Sequence, residues 1–398
     1  MARLRIAEII SHPIQNRVPV YRQLAARDDV DFTVLFLTEH GVKPSYDPGF
    51  GQTFAYDIPL LEGYAHRFIP NLARHPGPHG RFGAMNPALA EILWRERYDA
   101  VQIHGWAQAS QWITFASARA TGTPFMVSCD SNLLGPSLPP LRRIAKQVIV
   151  GGIARAAAAL LCVGVENRRF WESFGARRGQ LFDVPYSVDN DFFQRRADEA
   201  RRSGLRQSLR AKVGAEPGDL IILNSSKLQE SRKRMSLLVE ALSRLPRNAI
   251  AVFAGDGPDR SALEEQIRSS GVRATILGFV NQSEMPGWYA AADVLSISSE
   301  IEPWGLVVNE AMASGLPIIA SDHVGAAADL VIPGETGDVY RSGDAEGLAR
   351  VLRPLIERPD LRARLAGGAV RRIALYHPSR TAEGIVTAVR AVGRKSNH

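Results

Sequence analysis

The stretch that most limits what this chain can become covers residues 297–322, ISSEIEPWGLVVNEAMASGLPIIASD. It opens at the end of the apolar run Val294–Ile297, which reads as a buried parallel strand. Pro303 follows Glu302 and suits a first helical position, where its missing N–H would be unsatisfied anyway. Gly305 has no side chain, so backbone there can approach a ligand closely. The helix carries Glu310, stops at Gly315, and Pro317 leads into a strand over 318–320. The unit is a strand–loop–helix–strand with two carboxylates at the loop–helix junction. Free N–H groups at such a junction favour an anionic or hydroxyl-rich ligand, and Glu302 and Glu310 can each accept from vicinal hydroxyls. A sugar attached to a nucleoside diphosphate offers both chemistries. The plainer reading of the same pattern is a helix cap at Glu302 and a solvated Glu310.

With 398 residues the chain is long enough for two domains, each with its own core. A net charge of +7 favours anionic partners. No basic run interleaved with aromatics occurs, so nucleic acid is not expected as a partner. Two cysteines, Cys129 and Cys162, make neither a disulfide framework nor a metal site and fit a reducing cytoplasm. The N-terminus runs into a strand pattern, so no secretory signal is expected. The most apolar window, 148–163, is interrupted by Arg155 and is too short for a membrane span. Arg142, Arg143 and Lys146 lie just upstream, so the region reads either as an interfacial helix or as an ordinary buried one. The expected location is cytoplasmic, with peripheral contact at the inner face of an anionic membrane left open.

Taken in order, apolar runs over 4–10, 32–37, 100–104, 125–128 and 159–163 predict strands separated by helical patterns. Residues 39–86 are rich in Gly, Pro, His and aromatics and lack periodicity, which predicts a surface wall over a substrate cleft. A charged stretch over 195–212 precedes a linker at 214–218, and the alternation then repeats from 220 onward. Alternating strands and helices in both halves predict α/β domains with parallel sheets, and ligands at the carboxyl ends of the strands.

The second half resembles that of the GT-B glycosyltransferases of family 4, a large retaining group that uses nucleotide-sugar donors. The family's Glu-x7-Glu signature is met by Glu302 and Glu310. Supporting matches follow in the family's order: Ser226-Lys227-Leu228 with Lys233, Gly255-Asp256-Gly257-Pro258, Gly278-Phe279, Ala292-Asp293, and Ser321-Asp322 with Gly325. In the first half the likeness is carried by strand order, His104-Gly105 and Tyr186-Ser187-Val188-Asp189 with Phe192. The resemblance implies the GT-B architecture, two Rossmann-like doubly wound domains facing across a cleft. The expected domains are an acceptor-side domain over 1–192, a nucleotide-sugar domain over 193–376, and a C-terminal helix over 377–398 packing back on the first.

The resemblance also implies roles. Lys227 and Lys233 would hold the donor diphosphate and stabilise the leaving group, with Arg232 competing for the place of Lys233. Glu310 would take the ribose hydroxyls and Glu302 those of the donor sugar, and Trp304, Gly305 and Leu306 would offer backbone N–H groups. Gly255 is expected to form a tight turn beside the nucleotide. His104, Gln15 and Arg17 are expected on the acceptor side. The family commonly has histidine where Asp130 stands here, so Asp130 is either an acceptor-side base or a turn-capping residue. Asp189-Asn190-Asp191 spells a metal motif of the other major glycosyltransferase fold, but it falls in the interdomain connection. Neither a metal nor another cofactor is expected, the cationic side chains neutralising the diphosphate.

The function so implied is retaining transfer of a sugar from a UDP- or GDP-sugar to an acceptor hydroxyl, by front-face attack. The acceptor would be a polysaccharide, a lipid-linked glycan or a small molecule such as a natural product. A nucleotide-sugar epimerase or a sugar phosphorylase on the same fold, and a sugar-binding protein without catalysis, are the alternatives.

Overall fold

A computed structural model of the protein describes residues 3–42, 44–47, 52–136 and 139–393. Along the chain the elements are β1 (Leu4–Ile10), α1 (Val18–Ala25), β2 (Val30–Phe36), β3 (Ser45–Asp47), β4 (Gln52–Phe54), β5 (Ala65–Phe68), α2 (Ala88–Glu96) and β6 (Ala100–His104). Next come α3 (Ala109–Ala120), β7 (Phe125–Cys129), α4 (Pro140–Ala156), β8 (Ala159–Cys162), α5 (Val165–Ser173), β9 (Leu181–Asp183), α6 (Asn190–Arg202) and α7 (Leu205–Lys212). They are followed by β10 (Leu220–Ser225), α8 (Glu230–Lys233), α9 (Met235–Leu242), β11 (Ala249–Ala254), α10 (Arg260–Ser270), β12 (Ala274–Gly278), α11 (Met285–Ala291) and β13 (Val294–Ile297). The chain closes with α12 (Leu306–Ala313), β14 (Ile318–Ser321), α13 (Ala327–Leu330), β15 (Gly337–Tyr340), α14 (Ala345–Glu357), α15 (Pro359–Ile373) and α16 (Pro378–Val392).

These elements form two compact units. The first holds residues 1–45, 58–187 and 378–398, and the second holds 46–57 and 188–377. The chain therefore passes between units four times, whereas the sequence suggested two crossings, at 192/193 and 376/377.

The first unit is built on a seven-stranded parallel sheet of order β5-β2-β1-β6-β7-β8-β9. Its inner strands are nearly continuous Val, Ile, Leu and Ala, as a sheet covered on both faces requires. Glu8, in the middle of β1, interrupts that pattern and is fully buried. The last helix, α16, buries Ile385, Val386 and Val389 in this unit, and its Thr381 hydroxyl donates to the Pro185 carbonyl at 2.7 Å.

The second unit is built on a six-stranded parallel sheet of order β12-β11-β10-β13-β14-β15. Its core joins β10 and β11 to α9 and α14 through Ile222, Phe253, Leu238 and Leu352. In both sheets the strand order reverses beside the first strand, which opens a crevice at the carboxyl ends of β1/β6 and of β10/β13.

One local expectation is corrected, and two regions given no element from the sequence hold regular ones. Helix α12 begins at Leu306, not at Pro303, because Gly305 sits at its N-cap with φ +97° and breaks the helical path. Pro303 is held in a loop, where Glu302 forms a parallel bridge with Val324 and the Trp304 carbonyl accepts from Ala326 N. The charged stretch over 195–212 is helical, in α6 and α7. Asp189 caps α6 by accepting from Phe192 N at 2.9 Å, and Asp191 lies 3.6 Å from His377. The irregular region over 39–86 contains β3, β4 and β5, and its residues 43 and 48–51 lie outside the described residues.

Candidate active site

The second unit gathers its functional groups from four loops at the carboxyl ends of its strands. Beyond β10 and β11 the chain continues as two loops running side by side. Ser226 N donates to the Ala254 carbonyl and Leu228 N to that of Asp256. Gly255 and Gly257 face this seam: a Cβ on Gly255 would run into the Ser226 carbonyl oxygen, and one on Gly257 into that of Leu228. The Gly-Asp-Gly motif is thus a requirement for close backbone approach, and it fixes the path that brings the first loop to Lys227 and α8.

Lys227 is half-buried in that loop, and Lys233 stands at the end of α8. The Lys233 ammonium donates to Glu302 Oε2, and the Ser299 hydroxyl donates to the same oxygen at 3.4 Å. Helix α8 and the loop after β13 are joined by backbone as well, since the Arg232 carbonyl accepts from Glu300 N at 2.8 Å and Ile301 N at 3.1 Å. The position between α8 and α9 is a strained one: Arg234 has φ +46°, and its Nε lies 2.9 Å from Glu300 Oε2. Arg232 therefore contributes backbone to the assembly, and it is the Lys233 amine that meets Glu302.

Glu310 lies one turn into α12 and is buried. Its Oε2 accepts from the Tyr289 hydroxyl of α11 at 2.7 Å. Burial pushes the carboxyl up to about 7, with hydrogen bonds from Tyr289 and Gln282 pulling it back towards the ordinary range. The Trp304 indole is buried and donates to Asn309 Oδ1 at 2.9 Å, so its side chain braces the loop. A Cβ on Gly305 would sit 3.2 Å from Glu302 Cγ and 3.3 Å from Val324 Cγ1, which leaves glycine as the fitting residue. Gly305 and half-buried Leu306 form the start of α12. Asp322 accepts from Ser342 N at 2.7 Å and acts as a loop brace.

The first unit brings another group of polar residues to the carboxyl ends of β1, β6 and β7. Glu8 accepts from Arg17 Nη2 at 2.9 and 2.7 Å and from the Tyr21 hydroxyl at 3.1 Å. Desolvation opposes the charge on Arg17, but the Glu8 carboxylate outweighs it and holds the guanidinium well above its usual value. Arg17 is therefore buried and committed to Glu8, where it braces the loop that carries Gln15. The Gln15 Oε1 is buried with no hydrogen-bond partner among the described residues. His104 ends β6, 3.4 Å from the Ser128 hydroxyl. Burial, then the nearby Arg17 and His12, push its imidazole down to about 3, so it is neutral. Asp130 follows β7 and is half-buried. Its loop is tied down by Asn167 Nδ2, which donates to the Ser131 carbonyl at 2.7 Å.

Sequence reasoning missed Glu8, Tyr21, Asn167, Gln282, Tyr289 and Glu300. Only the charged residue in the apolar strand β1 carried a local signal; the others act on partners distant in sequence.

Comparison with known proteins fits this arrangement. The family profile described as Glycosyl transferases group 1 matches residues 206–372, and that of the Glycosyl transferase 4-like domain matches 19–187. D-inositol 3-phosphate glycosyltransferase of Nocardia farcinica is 29% identical over 329 residues, 77% of this chain and 70% of the relative. The crystal structure of Anabaena HepE with UDP and glucose superposes with a TM-score of 0.72 at 19% identity, covering 98% of this chain and all of HepE. Sucrose-phosphate synthase of Thermosynechococcus elongatus gives 0.69 at 20% identity over 98% of both chains. The protein belongs to the GT-B glycosyltransferases of the family 4 type.

Proposed function

We propose that the protein is a retaining glycosyltransferase that moves a hexose from a UDP-sugar, or failing that a GDP-sugar, to an acceptor hydroxyl. The observation that carries this reading is the meeting of Lys233 with Glu302 beside the α12 start, with Glu310 buried one turn further on. A cation for the diphosphate, a carboxylate for the sugar hydroxyls and a carboxylate for the ribose are held by one braced loop set. The uridine preference is supported by the relative HepE, whose structures are described with UDP and UDP-glucose.

In this reading the bond between the anomeric carbon and the diphosphate oxygen breaks while Lys227 and Lys233 balance the developing phosphate charge. The acceptor oxygen attacks from the same face, and its proton passes to the departing phosphate oxygen. The cations make a metal ion or other cofactor unnecessary. His104, Gln15 and Asp130 of the first unit supply the acceptor side; neutral His104 can give or take a hydrogen bond without competing for the phosphates.

The reading also includes a peripheral site on an anionic membrane, with a lipid-linked or polysaccharide acceptor. No helix among the described residues is long and apolar enough to cross a membrane. Helix α4, however, leaves Leu141, Ile144 and Val148 exposed by 82, 59 and 66%, next to Arg142 and Arg143.

The test is donor screening by thermal shift with UDP-, GDP- and ADP-sugars, followed by NMR of the product. Stabilisation by a UDP-sugar and a product with the donor's anomeric configuration are expected. Lys233→Ala should lower kcat about 10²–10³-fold with the fold intact. An inverted product would refute the retaining assignment. Isomerised donor without acceptor, or phosphate-dependent turnover, would point to an epimerase or phosphorylase. Nucleotide-sugar binding without turnover would point to a sugar-binding protein.

A further inference from the structure

The segment 46–57 leaves the chain between β2 and β5 and belongs to the second unit. The Ala55 carbonyl accepts from Asn281 Nδ2 at 2.9 Å. Asp57 Oδ1 accepts from Ser283 N at 3.1 Å, and Asp57 Oδ2 accepts from the Ser283 hydroxyl. Asn281 and Ser283 flank Gln282, and the same turn starts α11, because the Asn281 carbonyl accepts from Glu284 N and Met285 N, both at 3.1 Å. Just over one helical turn into α11 stands Tyr289, whose hydroxyl holds Glu310. The Gln282 side chain faces the same carboxyl. Both groups that hydrogen-bond Glu310 therefore descend from a turn clamped by Ala55 and Asp57.

We infer that Ala55–Asp57 is a positioning element of the nucleotide site: it fixes the 281–284 turn so that Gln282 and Tyr289 hold Glu310 in the orientation that the donor ribose needs. Asp57, Asn281 and Ser283 are positioning residues and do not touch the donor. The inference rests on the assignment of Glu310 to the ribose. It adds to that assignment a contribution from a segment far from the Glu-x7-Glu motif.

The surroundings of Glu310 make its ionisation a direct reporter of this clamp. Tyr289 is the titratable group facing it from α11. Helix α6 turns Arg201 onto the Ser314 carbonyl, and α15 turns Arg372 onto that of Asp329. Burial raises the Glu310 carboxyl, and Gln282 and Tyr289 lower it. Freeing the turn removes a lowering contact, so nucleotide binding that needs the carboxylate moves to higher pH.

Calorimetric titration of the full chain with UDP, GDP and ADP between pH 6 and 9 tests the inference, using whichever of the three the wild type binds most tightly. Asp57→Ala and Ser283→Ala should each weaken binding about 3–10-fold, the loss of roughly one hydrogen bond. The double variant should be little worse than Asp57→Ala, because the two changes remove one shared contact. The pH midpoint of binding should rise in all three. Asp57→Asn, which keeps an acceptor for Ser283 N, should recover most of the affinity. If Asp57→Ala melts early, Asn281→Ala and Ser283→Ala carry the same expectation. Wild-type affinity and pH midpoint in these variants, alongside lost binding in Glu310→Gln, overturn the clamp and leave the ribose assignment standing. Wild-type binding by Glu310→Gln overturns that assignment and the clamp with it.

Discussion

At the scale of single residues, Glu310 shows a conflict between stability and ligand binding. Its carboxyl is raised from 4.5 to about 7, chiefly by burial. As pH rises past 4.5 the unfolded chain gives up this proton while the folded chain keeps it. The folded state binds more protons across that window, so stability falls between pH 4.5 and about 7 and is level above it. The full effect is on the order of 3 kcal/mol. Glu310→Gln should therefore match the wild type in stability near pH 5 and exceed it at pH 8 by about 2–3 kcal/mol, in urea unfolding of the nucleotide-free protein. It should at the same time lose nucleotide binding. A variant no more stable at pH 8 than the wild type would show that the ionised carboxyl is already compensated. The spacing of Glu302 and Glu310 was legible in the sequence because both lie on one loop–helix unit. Tyr289 was not, because it reaches Glu310 from another helix. Arg17 looked equally available for an acceptor, yet Glu8 on the preceding strand accepts from its Nη2 through both carboxylate oxygens, and guanidinium and carboxylate are both buried.

At the scale of elements, strands and helices with a strong apolar period were legible, and those lacking one were not. Helix α7 buries no residue, and α6 buries mainly Phe193 and small alanines, so their arginines masked the helical pattern over 195–212. Strand β9 has three residues, too few for a period to show. Helix α4 is the instructive case, because it carries a buried apolar face and an exposed apolar one. Val150, Ile153 and Ala154 are buried, whereas Leu141, Ile144 and Val148 recur at helical spacing on the outside. No carboxylate occurs between Asp130 and Glu166, while four cations do: Arg142, Arg143, Lys146 and Arg155. Each aliphatic side chain that enters a bilayer surface should contribute roughly 1–2 kcal/mol, and each nearby cation about 1 kcal/mol on anionic lipid. Leu141→Ser/Ile144→Ser/Val148→Ser should therefore abolish sedimentation with phosphatidylglycerol vesicles and leave the melting temperature and nucleotide binding unchanged. Arg142→Glu/Arg143→Glu should weaken binding most at low salt. Equal sedimentation of wild type and triple variant would remove α4 from the proposed membrane contact.

At the scale of the whole molecule, each unit has its own sheet and core, but neither is one continuous piece of sequence. The periodicities reveal two α/β halves, yet they do not say which half a returning segment joins. That is decided by apolar surface left uncovered on α1 and β9, which α16 fills. Ile385, Val386 and Val389 are fully buried there, Arg27 pairs with Glu383 at 2.7 Å, and Arg390 with Asp29 at 2.6 Å. Three buried aliphatic side chains at about 1.5–3 kcal/mol each amount to a large share of the roughly 5–15 kcal/mol that holds an ordinary domain. Deleting 378–398 should therefore cost the first unit its cooperative melting transition and spare that of the second, whose C-terminal tie, Asn190 Nδ2 to the Ile373 carbonyl, remains. Scanning calorimetry with and without UDP reads both effects. UDP at about one hundred times its Kd should add about 2.7 kcal/mol to the second unit's transition, in the full chain and in the truncated chain alike. If truncation leaves the thermogram unchanged, α16 is an accessory to the first unit rather than part of its core. If it removes the nucleotide-sensitive transition, the second unit depends on the returning helix for its own stability.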